Sequence, residues 1–319
     1  MRNANKKIGI LLATYNGELY LEAQLNSLLS QTHRNFLVII RDDQSTDSTR
    51  AILEIFRKNY PDKIKILDSE HSNLGASRNF SFLVSYGVRF QTEFELDYFA
   101  FCDQDDIWHS EKIEKQLNFM TALESQFQVE KNLPVLVHSD LEVVNEKAQK
   151  IAESLICYQG LELSKGNFSG LLTSNLVTGC TAMFNPSLAR LALPIPKEAI
   201  MHDWWIAIVA SAFGKIGFID ETLVKYRQHA VNTLGAKPKP LKRISKFGGF
   251  IKILSLFRKI DKNFHLCCVA EQSKVFKTHY DNKLSKRLRL ILWASIGMKT
   301  DNGTWQYFIY RLLRKLNMS

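Results

Sequence analysis

The feature that most constrains the fold is the rhythm of the first hundred residues, where short apolar runs alternate with stretches of helical periodicity. Ile8 to Ala13 is a short apolar run of strand length. Leu21, Leu25, Leu28 and Leu29 then recur at helical spacing, and a second β-rich run spans Phe36 to Ile40. Ile52, Ile55 and Phe56 mark a second helix, Ile64 to Leu67 a third strand, Phe80, Leu83 and Val84 a third helix, and Tyr98 to Cys102 a fourth strand. Such alternation predicts an α/β fold around a largely parallel sheet, because parallel neighbours need a crossover between them. After residue 130 the pattern is more mixed. Strands are expected at Val135 to Val137 and through Val177 to Phe184, and a helix from Asp203 to Ala212.

Open parallel sheets bind ligands at the carboxyl ends of their strands. Here the four strands are followed in turn by Thr14-Tyr15-Asn16-Gly17, Asp42-Asp43-Gln44-Ser45-Thr46-Asp47, Asn73-Leu74-Gly75 and Asp103-Gln104-Asp105-Asp106, loops expected to meet along one edge. Three carboxylates crowded at 103, 105 and 106 are costly unless a cation balances them. Hard oxygen donors of this kind suit Mg²⁺ or Mn²⁺ completed by substrate phosphates. The same acids could instead cap a helix beginning near Ser110. Asp42-Asp43 carries both possibilities too: Ser45, Thr46 or Asp47 can start the next helix while Asp43 accepts from a pyrimidine ring nitrogen. Thr14 and Tyr15 offer a hydroxyl and a stacking ring, or form a turn. Arg78 would bring a guanidinium near a nucleotide if its helix starts at Gly75, or lie on a solvated face. Asp203, in His202-Asp203-Trp204-Trp205, is either a first-turn acid or a general base beside a tryptophan wall for a sugar. His229, closing Tyr226-Arg227-Gln228-His229, is a metal or phosphate ligand or a structural histidine. No GxGxxG follows the first strand and no GxxxxGK[ST] occurs, which removes dinucleotide redox chemistry and the P-loop.

Charge separates the chain into two parts. Residues 1 to 235 hold 23 Lys and Arg against 28 Asp and Glu, whereas residues 236 to 319 hold 19 against 4. The basic part interleaves its cations with apolar residues, as in Phe247 to Phe257 and Leu284 to Trp293, the composition of membrane-surface helices or of a helical appendage with a solvated face. An anionic partner is implied, and an anionic membrane surface is favoured over nucleic acid. The five cysteines are scattered without metal-ligand spacing, pointing to a reduced, intracellular setting, and no apolar run is long enough to span a membrane.

Taken in order, TYN, DDQSTD, NLG with the following RN, DQDDIW with EK, TGC, HDWW and YRQH resemble the inverting family 2 glycosyltransferases, over roughly residues 7 to 235. The stretch from HDWW to YRQH is most similar to bacterial rhamnosyltransferases. The resemblance implies a GT-A (nucleotide-diphospho-sugar transferase) fold over residues 1 to 235, with a mixed, mainly parallel sheet, followed by a basic, mainly helical extension over 236 to 319. It implies a donor nucleotide site of Thr14, Tyr15, Asn16, Asp43, Arg78 and Asp103. It further implies a divalent metal, Mn²⁺ or Mg²⁺, on Asp105 with Asp103 and His229, and Asp203 as the catalytic base of a single inverting displacement. Trp204, Trp205, His202 and Trp108 become contacts for the sugar or acceptor. Many relatives carry an acidic pair where this chain has His202-Asp203, so His202 is expected to tune Asp203 or touch the acceptor. The implied reaction moves a sugar, best matched by L-rhamnose from dTDP-rhamnose, onto a cell-surface polysaccharide or lipid-linked glycan at the cytoplasmic face of the membrane. A UDP-hexose donor, a nucleotidyltransferase and an inactive sugar-binding scaffold are the alternatives.

Overall fold

The computed structural model describes residues 3–68, 73–127, 132–229 and 263–316. The Lys-Pro-Lys-Pro stretch at 237 to 240 and the run Phe247 to Phe257 lie outside them. The chain divides into two compact units, one of Met1–Leu161 with Leu176–Lys237 and one of Glu162–Asn175 with Pro238–Ser319.

The first unit holds a nine-stranded sheet among the described residues. Strands β1 (Ile8–Thr14), β2 (Phe36–Asp42), β3 (Ile64–Ile66) and β4 (Tyr98–Cys102) pair in parallel in the order β3-β2-β1-β4. Helices α1 (Leu21–Leu29), α2 (Thr49–Asn59) and α3 (Ala76–Arg89) make the crossovers. β1, β2 and β4 are buried along nearly their whole length, which is why their sequences are mostly apolar and do not alternate, the Arg41-Asp42 end of β2 excepted. The other half contains β5 (Ile107–Trp108), β6 (Val135–Val144), β7 (Lys150–Ala152), β8 (Met183–Phe184) and β9 (Lys215–Arg227). β8 lies antiparallel between β4 and β6, β6 runs parallel to β9, and β5 is antiparallel to β9. The sheet is thus mixed and mainly parallel in its first half, as expected.

Register positions the site. Thr14 pairs with Asp42 and Leu12 with Cys102, so the loops after β1, β2 and β4 leave the sheet at one level. Helix α4 (Lys112–Gln126) follows β5, and α8 (His202–Phe213) is buried on every face from His202 to Ala210, a core helix and not an amphipathic one. The strand expected through Val177 to Phe184 is mostly absent. Gly179–Thr181 is a 3₁₀ turn in which Thr181 and Ala182 donate back to Thr178 and Gly179 at 2.9 Å, while the Gly179 N–H goes to Asp203. Backbone groups committed there cannot extend a ladder, leaving only Met183–Phe184 as strand.

The second unit gathers α6 (Phe168–Thr173), α9 (Phe264–Tyr280), α10 (Lys286–Ile296) and α11 (Gly303–Lys315). Asn263, Ser285 and Asn302 cap the last three helices through hydrogen bonds from Leu266, Leu288 and Trp305. Ser273 and Ser295 join α9 to α10 at 2.7 Å, and Phe168 packs on Phe276 at 5.6 Å between ring centroids. Ser169 also donates to the Leu316 carbonyl, and Arg314 pairs with Glu162 at 3.2 Å. No helix among the described residues is long and apolar enough to cross a membrane.

Candidate active site

The two aspartates ending β2 have different partners. Asp42 is buried and receives hydrogen bonds from the Thr14 hydroxyl, the Ser45 amide and hydroxyl, and Arg50 Nε. Thr14 is itself buried, and its hydroxyl secures β1 to β2 through Asp42. Asp43 accepts from Arg41 Nη1 at 2.7 Å and from the amides of Leu74 and Gly75 at 2.8–2.9 Å. Its carboxylate is therefore bound by the loop after β3, and a base nitrogen would have to exchange with one of those amides. Arg41 is fully buried. Its Nη1 also donates to Asn79, the guanidinium lies 5.2 Å from the Phe82 ring centroid, and Nε and Nη2 have no hydrogen-bond partner among the described residues. Sequence reasoning missed this arginine, although a lone cation in the run from Phe36 to Asp42 was visible.

Asn16 takes a positive φ of 46° and binds the Thr46 amide, while Tyr15 stands 47% exposed at the sheet edge, open to a planar ligand. Gln104 brackets Tyr15, accepting from its N–H at 2.8 Å and donating to its carbonyl at 2.9 Å. A Cβ on Gly17 would fall 2.3 Å from Gln104 Oε1, so a larger residue there would displace Gln104 from Tyr15. The middle residue of the DxD thus ties two loops together. Arg78 lies exposed on the first turn of α3, which starts at Ala76.

The acidic loop after β4 is held by the end of β9. Ile107 pairs with Lys225, which brings Arg227 opposite Asp105. Arg227 is buried; its amide donates to Asp106 Oδ1 at 3.2 Å, Nε to the Asp105 carbonyl at 2.8 Å and Nη1 to the Glu146 carbonyl at 2.6 Å. Its guanidinium lies 4.7 Å from the Tyr20 ring centroid, and the same ring is 4.9 Å from that of His229. His229 Nε2 is 2.7 Å from Asp105 Oδ2. The structure thus brings together Asp105 and His229, and adds Arg227 and Tyr20, which the sequence had not singled out.

Asp103, Asp106 and Cys180 present ligand atoms within 4.8 Å of one another. Loss of hydration, then the charges of Asp106, Asp105 and Asp203, push the Asp103 carboxyl well above the usual range. Burial and the Asp105 charge raise Asp106 to about 8, and Asp106 Oδ2 has no hydrogen-bond partner among the described residues. Buried carboxylates that repel each other at this spacing fit a cation. Asp105 Oδ2 and His229 Nε2 share a hydrogen bond at 2.7 Å, and a metal ion held by both would displace its proton. Burial drives the Cys180 thiol up, so it stays protonated and leaves a hard cation to the carboxylates.

Asp203, in the first turn of α8, accepts from the Gly179 amide at 2.9 Å and the Trp204 amide at 2.6 Å. A Cβ on Gly179 would lie 3.2 Å from His202 Nε2 and 3.4 Å from Asp203 Oδ2, so glycine permits the approach. The expected sugar contacts need correction. Trp205 is fully buried and donates from its indole nitrogen to the Ala192 carbonyl; Trp204 is 5% exposed. Trp108 is 2% exposed and covered by Lys112 Nζ at 3.4 Å from its ring centroid. His202 stacks on Phe80 at 3.9 Å and meets Phe101 edge-on, so it touches core rings and not an acceptor. Aromatic residues beside a reactive acid read alike whether they line a cleft or fill the core beneath it.

A family model for glycosyl transferase family 2 matches residues 10–184, from the middle of β1 to the end of β8. The chain belongs to glycosyl transferase family 2. Among the relatives of this family 2 glycosyltransferase, the dTDP-rhamnosyl transferase RfbG of Shigella flexneri is 30% identical over 227 residues, covering 70% of this chain and 74% of that protein. The putative teichuronic acid biosynthesis glycosyltransferase TuaG of Bacillus subtilis is 35% identical over 121 residues, 38% of this chain and 44% of that one. In structure, the glycosyltransferase resembles S. aureus TarS 1–349, solved in complex with UDP-GlcNAc, with a TM-score of 0.54 at 15% identity over 97% of this chain and 90% of that one. That likeness is one of fold, the GT-A fold.

Proposed function

We propose that this glycosyltransferase moves L-rhamnose from dTDP-rhamnose to a hydroxyl of a growing cell-surface polysaccharide or lipid-linked glycan, inverting the anomeric carbon. The observation that carries the reading is the acidic cluster at the end of β4, where Asp103 and Asp106 present oxygens within 4.8 Å of each other, Asp105 meets His229 at 2.7 Å, and Asp203 is held at Gly179, next to Cys180 of the same cluster. Rhamnose is favoured by the likeness to the dTDP-rhamnosyl transferase RfbG, and a polysaccharide acceptor by the likeness to TuaG, a putative teichuronic acid biosynthesis glycosyltransferase.

Catalysis belongs to residues 1–235, and the basic segment 236–319 faces the inner leaflet of the membrane. Tyr15 and Asn16 border the donor base, Asp43 accepts from its ring nitrogen once an amide is released, and Arg78 lies on the phosphate side. Asp105, Asp103 and His229 would hold Mn²⁺ or Mg²⁺. Such an ion supplies positive charge against the departing nucleoside diphosphate. Asp203 removes the acceptor hydroxyl's proton. The amides of Gly179 and Trp204 fix the direction of its carboxylate. One base and one displacement need no covalent sugar intermediate.

Thermal shift against a panel of dTDP- and UDP-sugars, with and without Mn²⁺ or Mg²⁺, tests the donor, since a ligand bound to the native state raises its melting temperature. Stabilisation by dTDP-rhamnose, strengthened by metal and lost in Asp105→Ala, is expected; stabilisation by a UDP-hexose alone would replace the rhamnose assignment. Asp203→Asn is expected to keep donor stabilisation while turnover falls by a factor on the order of 10² or more. Turnover at the unaltered rate would remove Asp203 as the base.

A further inference from the structure

Helices α10 and α11 have two apolar sides. Inward they bury Ile291 and Leu292, and Ile309 and Leu313. Outward, α10 exposes Leu290 at 67% and Trp293 at 71%, and α11 exposes Trp305, Phe308 and Leu312 at 43–55%. On α11 the spacing of 305, 308 and 312 keeps these three on one stripe, with Trp305 and Phe308 stacked at 5.4 Å. Cations flank the stripes: Lys286 and Arg287 on α10, Arg311 and Lys315 on α11, all exposed. Neither helix contains an acid, and from Asp281 to Ser319 eight Lys and Arg accompany only Asp281, which pairs with Arg289, and Asp301.

We propose that the outward faces of α10 and α11 dock on an anionic phospholipid bilayer, each helix lying in the interface with its tryptophan among the headgroups. The proposal rests on the membrane-facing role given above to the C-terminal segment and names the surface that performs it. Exposed Trp, Phe and Leu beside Lys and Arg are the residues that interfacial helices use, apolar side chains entering the acyl boundary while cations meet lipid phosphates. Charge also decides against a second copy of the chain. A two-fold contact places each patch against itself, and here that opposes an excess of cations, eight against two acids, to the same excess.

Three of the five tryptophans, Trp108, Trp204 and Trp205, are buried, so a change in emission on docking comes from Trp293 and Trp305. The full chain, titrated with vesicles of mixed phosphatidylglycerol and phosphatidylcholine, is expected to give a saturable blue shift. Trp293→Phe and Trp305→Phe should each remove part of it. Arg311→Glu should weaken partition by at least about tenfold, and added salt should weaken it as well. No shift overturns the proposal, and no shift with a mass that doubles on concentration replaces the bilayer with a second copy. Equal partition onto phosphatidylcholine alone overturns the part played by charge. Nucleotide-sugar thermal shift on the same preparation separates the two claims. Donor stabilisation without vesicle binding overturns this inference only, and vesicle binding without donor stabilisation counts against the proposed reaction.

Discussion

His202 is held neutral by its surroundings. Neither ring nitrogen has a hydrogen-bond partner among the described residues, the ring is packed between Phe80 and Phe101, and burial lowers its pKa to about 3. The unfolded chain takes up this proton below about pH 6.5, whereas the folded chain does so only near 3, so stability present above 6.5 is lost as pH falls toward 3. His138, lowered to about 4 by burial, acts in the same direction. His202→Phe removes one contribution: urea denaturation should find the variant gaining on wild type by about 2 kcal/mol more at pH 5 than at pH 7.5. An equal difference at the two pH values would show that His202 does not titrate this way. Arg41 illustrates the other buried charge. Arg41→Ala leaves Asp43, itself only 2% exposed, with amides but no counter-charge, and is expected to cost about 3 kcal/mol in the same assay. These two residues also mark a limit of sequence reading. His202 was visible in HDWW but its rings Phe80 and Phe101 come from α3 and β4, and Arg41 finds Asn79 only after the chain has crossed through α3.

At the level of elements, the parallel half of the sheet was legible because β1, β2 and β4 are covered on both faces and so are written as largely apolar runs. β4 matches its expected bounds, and β1 and β2 extend one and two residues past theirs. The antiparallel half was less so. β8 and β5 are two residues each, too short for any periodicity, and yet they bring Gly179 to Asp203 and Arg227 to Asp105. The motifs located Asp105 and His229 but not the strand pairing that sets their distance. Arg227→Lys tests that pairing, because a lysine cannot bond both the Asp105 and Glu146 carbonyls from a planar group. Mn²⁺ affinity, followed by the electron paramagnetic resonance of free Mn²⁺, should fall by roughly tenfold or more, as when a supporting contact behind a metal ligand is removed. Unchanged affinity would mean that β9 does not position the acidic loop.

For the whole molecule, the change in charge after residue 235 reads directly from the sequence, but the course of the chain between the compact units does not. Residues 162–175 leave the first unit and join the helices of the second, where Phe168, Leu171 and Leu172 are buried. A chain ended at residue 235 would lose α9, α10 and α11 and uncover those side chains. Relative to the full chain it should melt at lower temperature and bind a hydrophobic dye, measured by differential scanning fluorimetry and dye titration. A truncated chain that melts as the full one does would show that 162–175 is satisfied without its partners. The same interleaving bears on how such enzymes exchange parts. Grafting the C-terminal helices of one homologue onto the catalytic unit of another would join two halves of a small core that had diverged in separate lineages. A functional hybrid therefore needs two crossovers in the gene, one on each side of the short segment around Phe168, in addition to the one at the tail.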